Sequence, residues 1–195
     1  MMNRRHFFKL GLAGIGTMIS TRNIWGLKYF PMPSDKKCAI LYSTWCGSTR
    51  DAAVWISEGM GGIAEVFDVR EEPDLRGFEH IVIGGAIRGS VTSKELQAYI
   101  TQNKHWLKAK VRGLFAVCGN MRKPVGAQQT TMFIDNHLAK LCDVTKIPAR
   151  VFNGRVTKSL MDPQTRKMME KFEDYDDLRR SECLAFGQEI LNSIN

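Results

Sequence analysis

The sequence predicts an α/β fold, a doubly wound parallel sheet of five strands with helices on both faces. Three observations carry the prediction. Short continuous apolar runs, of the kind buried on both sides, recur along the chain. Stretches with apolar residues at three- and four-residue spacing stand between them. Parallel neighbours need a crossover, and a helix supplies it with right-handed sense. The composition of the 195 residues, 44% hydrophobic and 25% charged, is that of one globular domain. It excludes a disordered tail protein, a collagenous repeat and a multi-span membrane protein.

Residues 1–33 are set apart from the fold. Asn3-Arg4-Arg5-His6-Phe7-Phe8-Lys9 is followed by the uncharged stretch Leu10 to Thr21, which is shorter than the roughly twenty residues of a spanning helix. The segment reads as an address. The Arg-Arg pair, a spacer, two Phe and a Lys resemble the twin-arginine export signal. That resemblance implies the twin-arginine export machinery as a partner. It places the protein in the periplasm or on the extracytoplasmic face of the inner membrane, and in the cytoplasm if the signal does not function. No small-x-small cleavage site is evident between Gly16 and Ser34.

Residues 34–195 are expected to form the domain. Cys38 to Tyr42 is a buried-strand run, and Ala52, Ala53, Ile56 and Met60 mark the first helix. Ile63 to Val69 alternates like a strand nearer the sheet edge, and Ile81 to Ala86 is a second continuous run. Ser93 is placed to cap a helix with the core stripe Leu96, Ile100, Asn103 and Leu107. Gly113 to Cys118 is the fourth strand, Thr130 to Leu141 a helix, and Ala149 to Val156 the fifth strand. Thr157 to Tyr175 is expected as an extra helix or loop bearing solvated charge, before a long last helix from about Asp176 to Asn192. The five cysteines, Cys38, Cys46, Cys118, Cys142 and Cys183, contain no Cys-x-x-Cys pair, so neither a metal site nor a disulfide framework is indicated.

The chemistry sits after the first strand, in Ser43-Thr44-Trp45-Cys46-Gly47-Ser48-Thr49-Arg50. Four of these eight residues carry hydroxyls. In an open parallel sheet, ligands bind beyond the carboxyl ends of the strands at the switch point, which the first strand borders. The following helix adds unpaired N–H groups and the positive end of its dipole. No Gly-Lys-[Ser/Thr] and no Gly-x-Gly-x-x-Gly is present there, so a phosphomonoester is a better guest than a nucleoside triphosphate or a dinucleotide. Cys46, near a helix start, is placed where a thiol pKa can fall.

Ser43-Thr44-x-x-Gly47-x-Thr49 resembles the FMN phosphate loop of the flavodoxin superfamily, with Ser48 also matching and Trp45 and Cys46 in the variable places. Ile81 to Gly89 and Cys118-Gly119-Asn120-Met121-Arg122-Lys123-Pro124 look like the two flavin-ring loops of the flavodoxin-like quinone-dependent protoporphyrinogen IX dehydrogenases. The likeness covers roughly residues 37–156, whereas Gly154 to Ser159 lacks the aromatic and Arg-rich run of that branch. The resemblance implies a flavodoxin-like sheet of order 2-1-3-4-5 and FMN as cofactor. It implies a phosphate held by Ser43 to Thr49, with Ala86, Ile87 and Arg88 on one side of the ring and Gly119, Asn120, Met121 and Arg122 on the other. Arg88 and Arg122 are the catalytic candidates, placed to favour the anionic reduced flavin or to pair with a substrate carboxylate. The cofactor performs the redox step and the protein sets its position and access.

Charge separates the function classes. Lys and Arg exceed Asp and Glu by 28 to 20, but Arg4, Arg5, Lys9, Arg22 and Lys28 precede the domain, which keeps 23 against 20, or +3. Electron carriers of this superfamily are usually acidic. A mildly basic body suits an enzyme that meets an anionic substrate or a membrane surface peripherally, with a quinone or a redox protein as electron acceptor. The alternatives are a flavodoxin-type carrier without its own substrate and a non-catalytic FMN-binding domain. No basic stripe interleaved with aromatics indicates nucleic acid.

Overall fold

The computed structural model describes residues 29–119 and 125–195. The residues up to Lys28 of the expected signal segment and the ring-loop candidates Asn120, Met121 and Arg122 lie outside them. A five-stranded, all-parallel sheet has the order β2-β1-β3-β4-β5, as the resemblance implied. Its strands are β1 (Cys38–Ser43), β2 (Ala64–Asp68), β3 (His80–Ile87), β4 (Val111–Cys118) and β5 (Ala149–Asn153).

Period-two alternation divides the strand side chains between two cores. Ala39, Leu41, Ile81, Ile83, Leu114, Ala116 and Val151 face one side. There they meet Leu96, Ile100 and Leu107 of helix α2 (Lys94–Leu107) and Phe133, Ile134 and Leu138 of a later helix. Cys38, Ile40, Tyr42, Val82, Phe115, Val117 and Phe152 face the other side. They pack against Ala52, Ala53 and Ile56 of α1 (Ser48–Gly59) and Cys183, Phe186 and Ile190 of the last helix. Phe115, Phe152 and Phe186 form an edge-to-face series with centroids 6.3 and 5.9 Å apart.

The structure corrects four expectations. Asn103 is not a core residue of α2: its amide donates to the Tyr99 carbonyl at 2.9 Å and accepts from Trp106 Nε1 at 3.1 Å, beside the stripe. The helix expected over 130–141 is a continuous rod of α3 (Ala127–Thr130), a π-helical stretch (Thr131–Ala139) and α4 (Lys140–Cys142). The fifth strand ends at Asn153. Its supposed continuation is β6 (Arg155–Val156), which pairs antiparallel with β7 (Tyr175–Asp176) outside the main sheet. The segment between them holds a 3₁₀ turn (Lys158–Leu160) and α5 (Pro163–Met168), whose cap Asp162 accepts from Gln164 N and Thr165 N at 3.0 Å. The last helix is therefore α6 (Arg180–Ser193), starting after β7.

At the β5–β6 break the chain passes close to the end of β4. Gly154 N–H donates to the Cys118 carbonyl at 2.9 Å, and a Cβ at Gly154 would stand 3.1 Å from the Cys118 backbone and Gly119 Cα. A side chain here would crowd the end of β4, and the glycine lets the chain lie close to it. It then turns back over the carboxyl ends of the strands instead of running on in the sheet.

Candidate functional site

The chain leaves β1 into Thr44 to Gly47 and enters α1 at Ser48. Gly47 has φ +86°, a left-handed conformation that a side chain would strain. Gly47 N–H donates to Thr44 Oγ1 at 3.1 Å, which closes the turn, and no side chain caps α1. A helix N-terminus carries N–H groups with no intrahelical partner, and that of α1 follows directly on this loop.

Ser43, Ser48 and Thr49 are buried, at 3%, 5% and 0% exposure. Ser43 Oγ and Thr49 Oγ1 have no hydrogen-bond partner in the described residues. Asn153 Oδ1, at the end of β5, and Arg155 Nε, at the start of β6, are orphaned in the same way. All four lie at the carboxyl end of the sheet. A buried polar group without a partner costs about 1–3 kcal/mol, and four at one end of a sheet mark a place that a polar ligand completes. Two hydroxyl groups beside a helix N-terminus fit a phosphate.

Next to this loop lies a cavity of about 340 Å³. Trp45, Cys46 and Ser48 line it from the first loop, Ala86 to Ser90 from the end of β3, and Val117 to Gly119 from the end of β4. These are the loops that the sequence assigned to the phosphate and the flavin ring, and the fold brings them together. Arg88 stacks on the Trp45 ring, its guanidinium carbon 4.2 Å from the centroid, so the first and third strand loops are joined across the cavity mouth. Ser43, Thr44, Gly47 and Thr49 do not line the cavity: Thr44 and Gly47 form the turn, and Ser43 and Thr49 are buried beneath the loop.

A second wall was not foreseen. Arg155 and Val156 of β6 and Met161, Thr165 and Met169 of the segment after it line the same cavity, as does Phe133 of the π-helical stretch. Met161, Val156 and Cys46 form a small core of their own, with Met169 and Tyr175 packed against it. The Met-rich composition of 161–169 was the available signal, but apolar residues among so many charges read equally well as an amphipathic surface helix. Arg155 ties this wall to the first loop. It donates to Asp51 Oδ2 at 2.6 Å and lies 3.6 Å from Asp176. Burial works against the guanidinium charge, but the hydrogen bond to Asp51 and the two carboxylates outweigh it and hold its pKa above the usual arginine value.

Comparison with known proteins agrees with this geometry. The flavodoxin domain family model matches residues 39–177. None of the curated proteins matches the chain. Among solved structures, oxidised flavodoxin 1 from Bacillus cereus is 15% identical, with 82% of this chain and 100% of that chain covered and a TM-score of 0.54. A short-chain flavodoxin associated with a PDU bacterial microcompartment is 11% identical, with coverage of 82% and 99% and a TM-score of 0.53. A flavodoxin-type, WrbA-like protein from Agrobacterium tumefaciens is 12% identical, with coverage of 80% and 95% and a TM-score of 0.51. Likeness at this level of identity is likeness of fold.

Proposed function

The chain belongs to the flavodoxin domain family, an FMN-binding electron-transfer fold, and from that premise we propose that it is an oxidoreductase passing electrons from an organic donor to a quinone, in the manner of the quinone-dependent protoporphyrinogen IX dehydrogenases. One observation carries the reading: buried, unpartnered Ser43 Oγ and Thr49 Oγ1 sit under the first loop, beside a cavity walled by the ends of β3 and β4. FMN, when bound, supplies the redox chemistry.

The chain's own residues divide the remaining work. Ser43, Ser48, Thr49 and the first-turn N–H groups of α1 bind the phosphate, and the left-handed Gly47 gives the loop its turn. Ala86, Ile87 and Gly119 flank the ring site. Arg88, stacked on Trp45, presents a cation at the cavity mouth for an anionic substrate group. The wall of Val156, Met161 and Met169 excludes water and favours a flat apolar substrate over a protein partner. That wall, with the mildly basic body, supports an enzyme over a carrier. The Arg4-Arg5 segment supports an extracytoplasmic site of action reached through the twin-arginine machinery, with the domain meeting the membrane peripherally.

The experiment is a visible spectrum of the purified full chain, then anaerobic addition of protoporphyrinogen and a menaquinone analogue. Bleaching of the flavin bands by the first and their recovery with the second is expected. Reduction by a ferredoxin-type donor with no response to either compound assigns the protein to the carriers. Thr49→Asp sets a carboxylate where the phosphate needs a donor and should abolish FMN retention while circular dichroism stays native. Normal flavin content in that variant overturns the site.

A further inference from the structure

We propose that Arg155, contributed by the segment beyond the fifth strand, is the cationic partner of the FMN phosphate. It would make this chain select FMN over unphosphorylated riboflavin by charge as well as by hydroxyl groups. The proposal rests on the FMN reading above and adds to it a positioning residue outside the first loop.

Four observations converge on Arg155. A Cβ built on Gly47, the turn residue of the phosphate loop, would lie 3.7 Å from Arg155 Nη2, so the guanidinium stands directly against that loop. Its backbone is fixed there from both sides: the Cys46 thiol donates to the Arg155 carbonyl at 3.1 Å, and the preceding Gly154 N–H donates to the Cys118 carbonyl at 2.9 Å. Its terminal nitrogens are engaged, Nη2 with Asp51 at 2.6 Å and Nη1 near Asp176 at 3.6 Å. Its Nε–H, by contrast, is buried without an acceptor among the described residues, as are the hydroxyls of Ser43 and Thr49. A guanidinium donates and never accepts, so the buried Nε–H is satisfied only by an acceptor from outside the described residues.

The charges around the loop lead to the same place. Asp51 lies in the first turn of α1, where its carboxylate repels a phosphate bound at the same N-terminus. Asp51 is shared by Arg155 and, at 3.6 Å, by Arg50. Removing Arg155 leaves Arg50 as the cation beside Asp51, and Asp176 without its arginine, near a group that carries close to −2 at neutral pH. Keeping it cancels that repulsion and adds a charge-assisted donor.

Riboflavin provides the control, because it has the same ring and ribityl chain without the phosphate. The flavin-stripped full chain is titrated with FMN and with riboflavin, and flavin fluorescence gives the two affinities. Arg155→Gln is expected to weaken FMN by about tenfold or more and riboflavin much less, so the FMN-to-riboflavin ratio collapses. Asp51→Asn, which removes the repelling charge and leaves Arg155 in place, is expected to raise that ratio. Parallel loss of both ligands in Arg155→Gln means that Arg155 only holds the covering segment in place, and overturns the proposal. An unchanged FMN affinity overturns it too. If Arg155→Gln does not fold, Asp51→Asn decides alone, and an unmoved ratio there is fatal. A wild-type chain that does not prefer FMN to riboflavin overturns the phosphate-site reading itself, and the proposal with it.

Discussion

Cys46 gives its thiol hydrogen to the Arg155 carbonyl, 3.1 Å away, and lies among Val156 and Met161. A thiol near a helix start is often a nucleophile; here it fastens the covering segment to the first loop. The other cysteines serve the two faces of the sheet, and all five are buried thiols outside any disulfide. Burial pushes the Cys142 and Cys183 thiols up to about 12. Native alkylation at about pH 8.5, where an ordinary thiol is half ionised, should therefore spare Cys142 and Cys183. Unfolding in guanidinium should open all five positions, and peptide mass spectrometry reads the difference. The loop hydroxyls at Ser43, Ser48 and Thr49 were legible because their number in so short a stretch has few other uses. Arg155 was not legible, because nothing in a sequence sets residue 155 beside residue 47.

Helices α1 and α6 approach so closely that their backbones meet. A Cβ at Gly187 would fall 2.1 Å from the Ile56 carbonyl oxygen, and one at Gly59 would fall 2.2 Å from that of Leu184. The contact lies in the C-terminal part of α1, away from the loop that opens the helix. Gly187→Ala forces the helices apart and should cost about 1–3 kcal/mol, read as a lowered Tm. The FMN-to-riboflavin ratio should stay at the wild-type value, which separates this effect from that of Arg155→Gln. The five parallel strands were readable element by element because each is an apolar run followed by a turn. The β5–β6 division was not, because Ala149 to Val156 keeps one strand-like pattern through Gly154. The strand ends where its neighbour does, because β4 stops at Cys118, the residue opposite Asn153, and no partner follows across the sheet among the described residues.

For the molecule as a whole, two histidines contribute to the response to mild acid. His137 Nε2 accepts from Thr92 N–H at 3.0 Å and sits 2.9 Å from Thr92 Oγ1, tying the π-helical stretch to the segment after β3. Burial lowers its pKa, and burial followed by the nearby Arg112 lowers that of His80, both from 6.5. The unfolded chain therefore binds more protons, and the stability these neutral rings contribute is complete above 6.5 and is lost as pH falls through the depressed folded values. Tm should fall on acidification below about 6.5, and His137→Gln should flatten that fall; an unchanged slope would exclude His137 as a source. The charge of +8 belongs to the same scale, and most of it precedes the domain. The sequence by itself determined the alternation of strand and helix, the two-faced core and the hydroxyl-rich loop after the first strand, because each depends on residues adjacent in the chain or at a fixed period. Only the tertiary structure decided that residues 155–176 fold back as the second wall of the cavity, because such a contact depends on where the chain is led after Gly154, and local pattern does not encode that path.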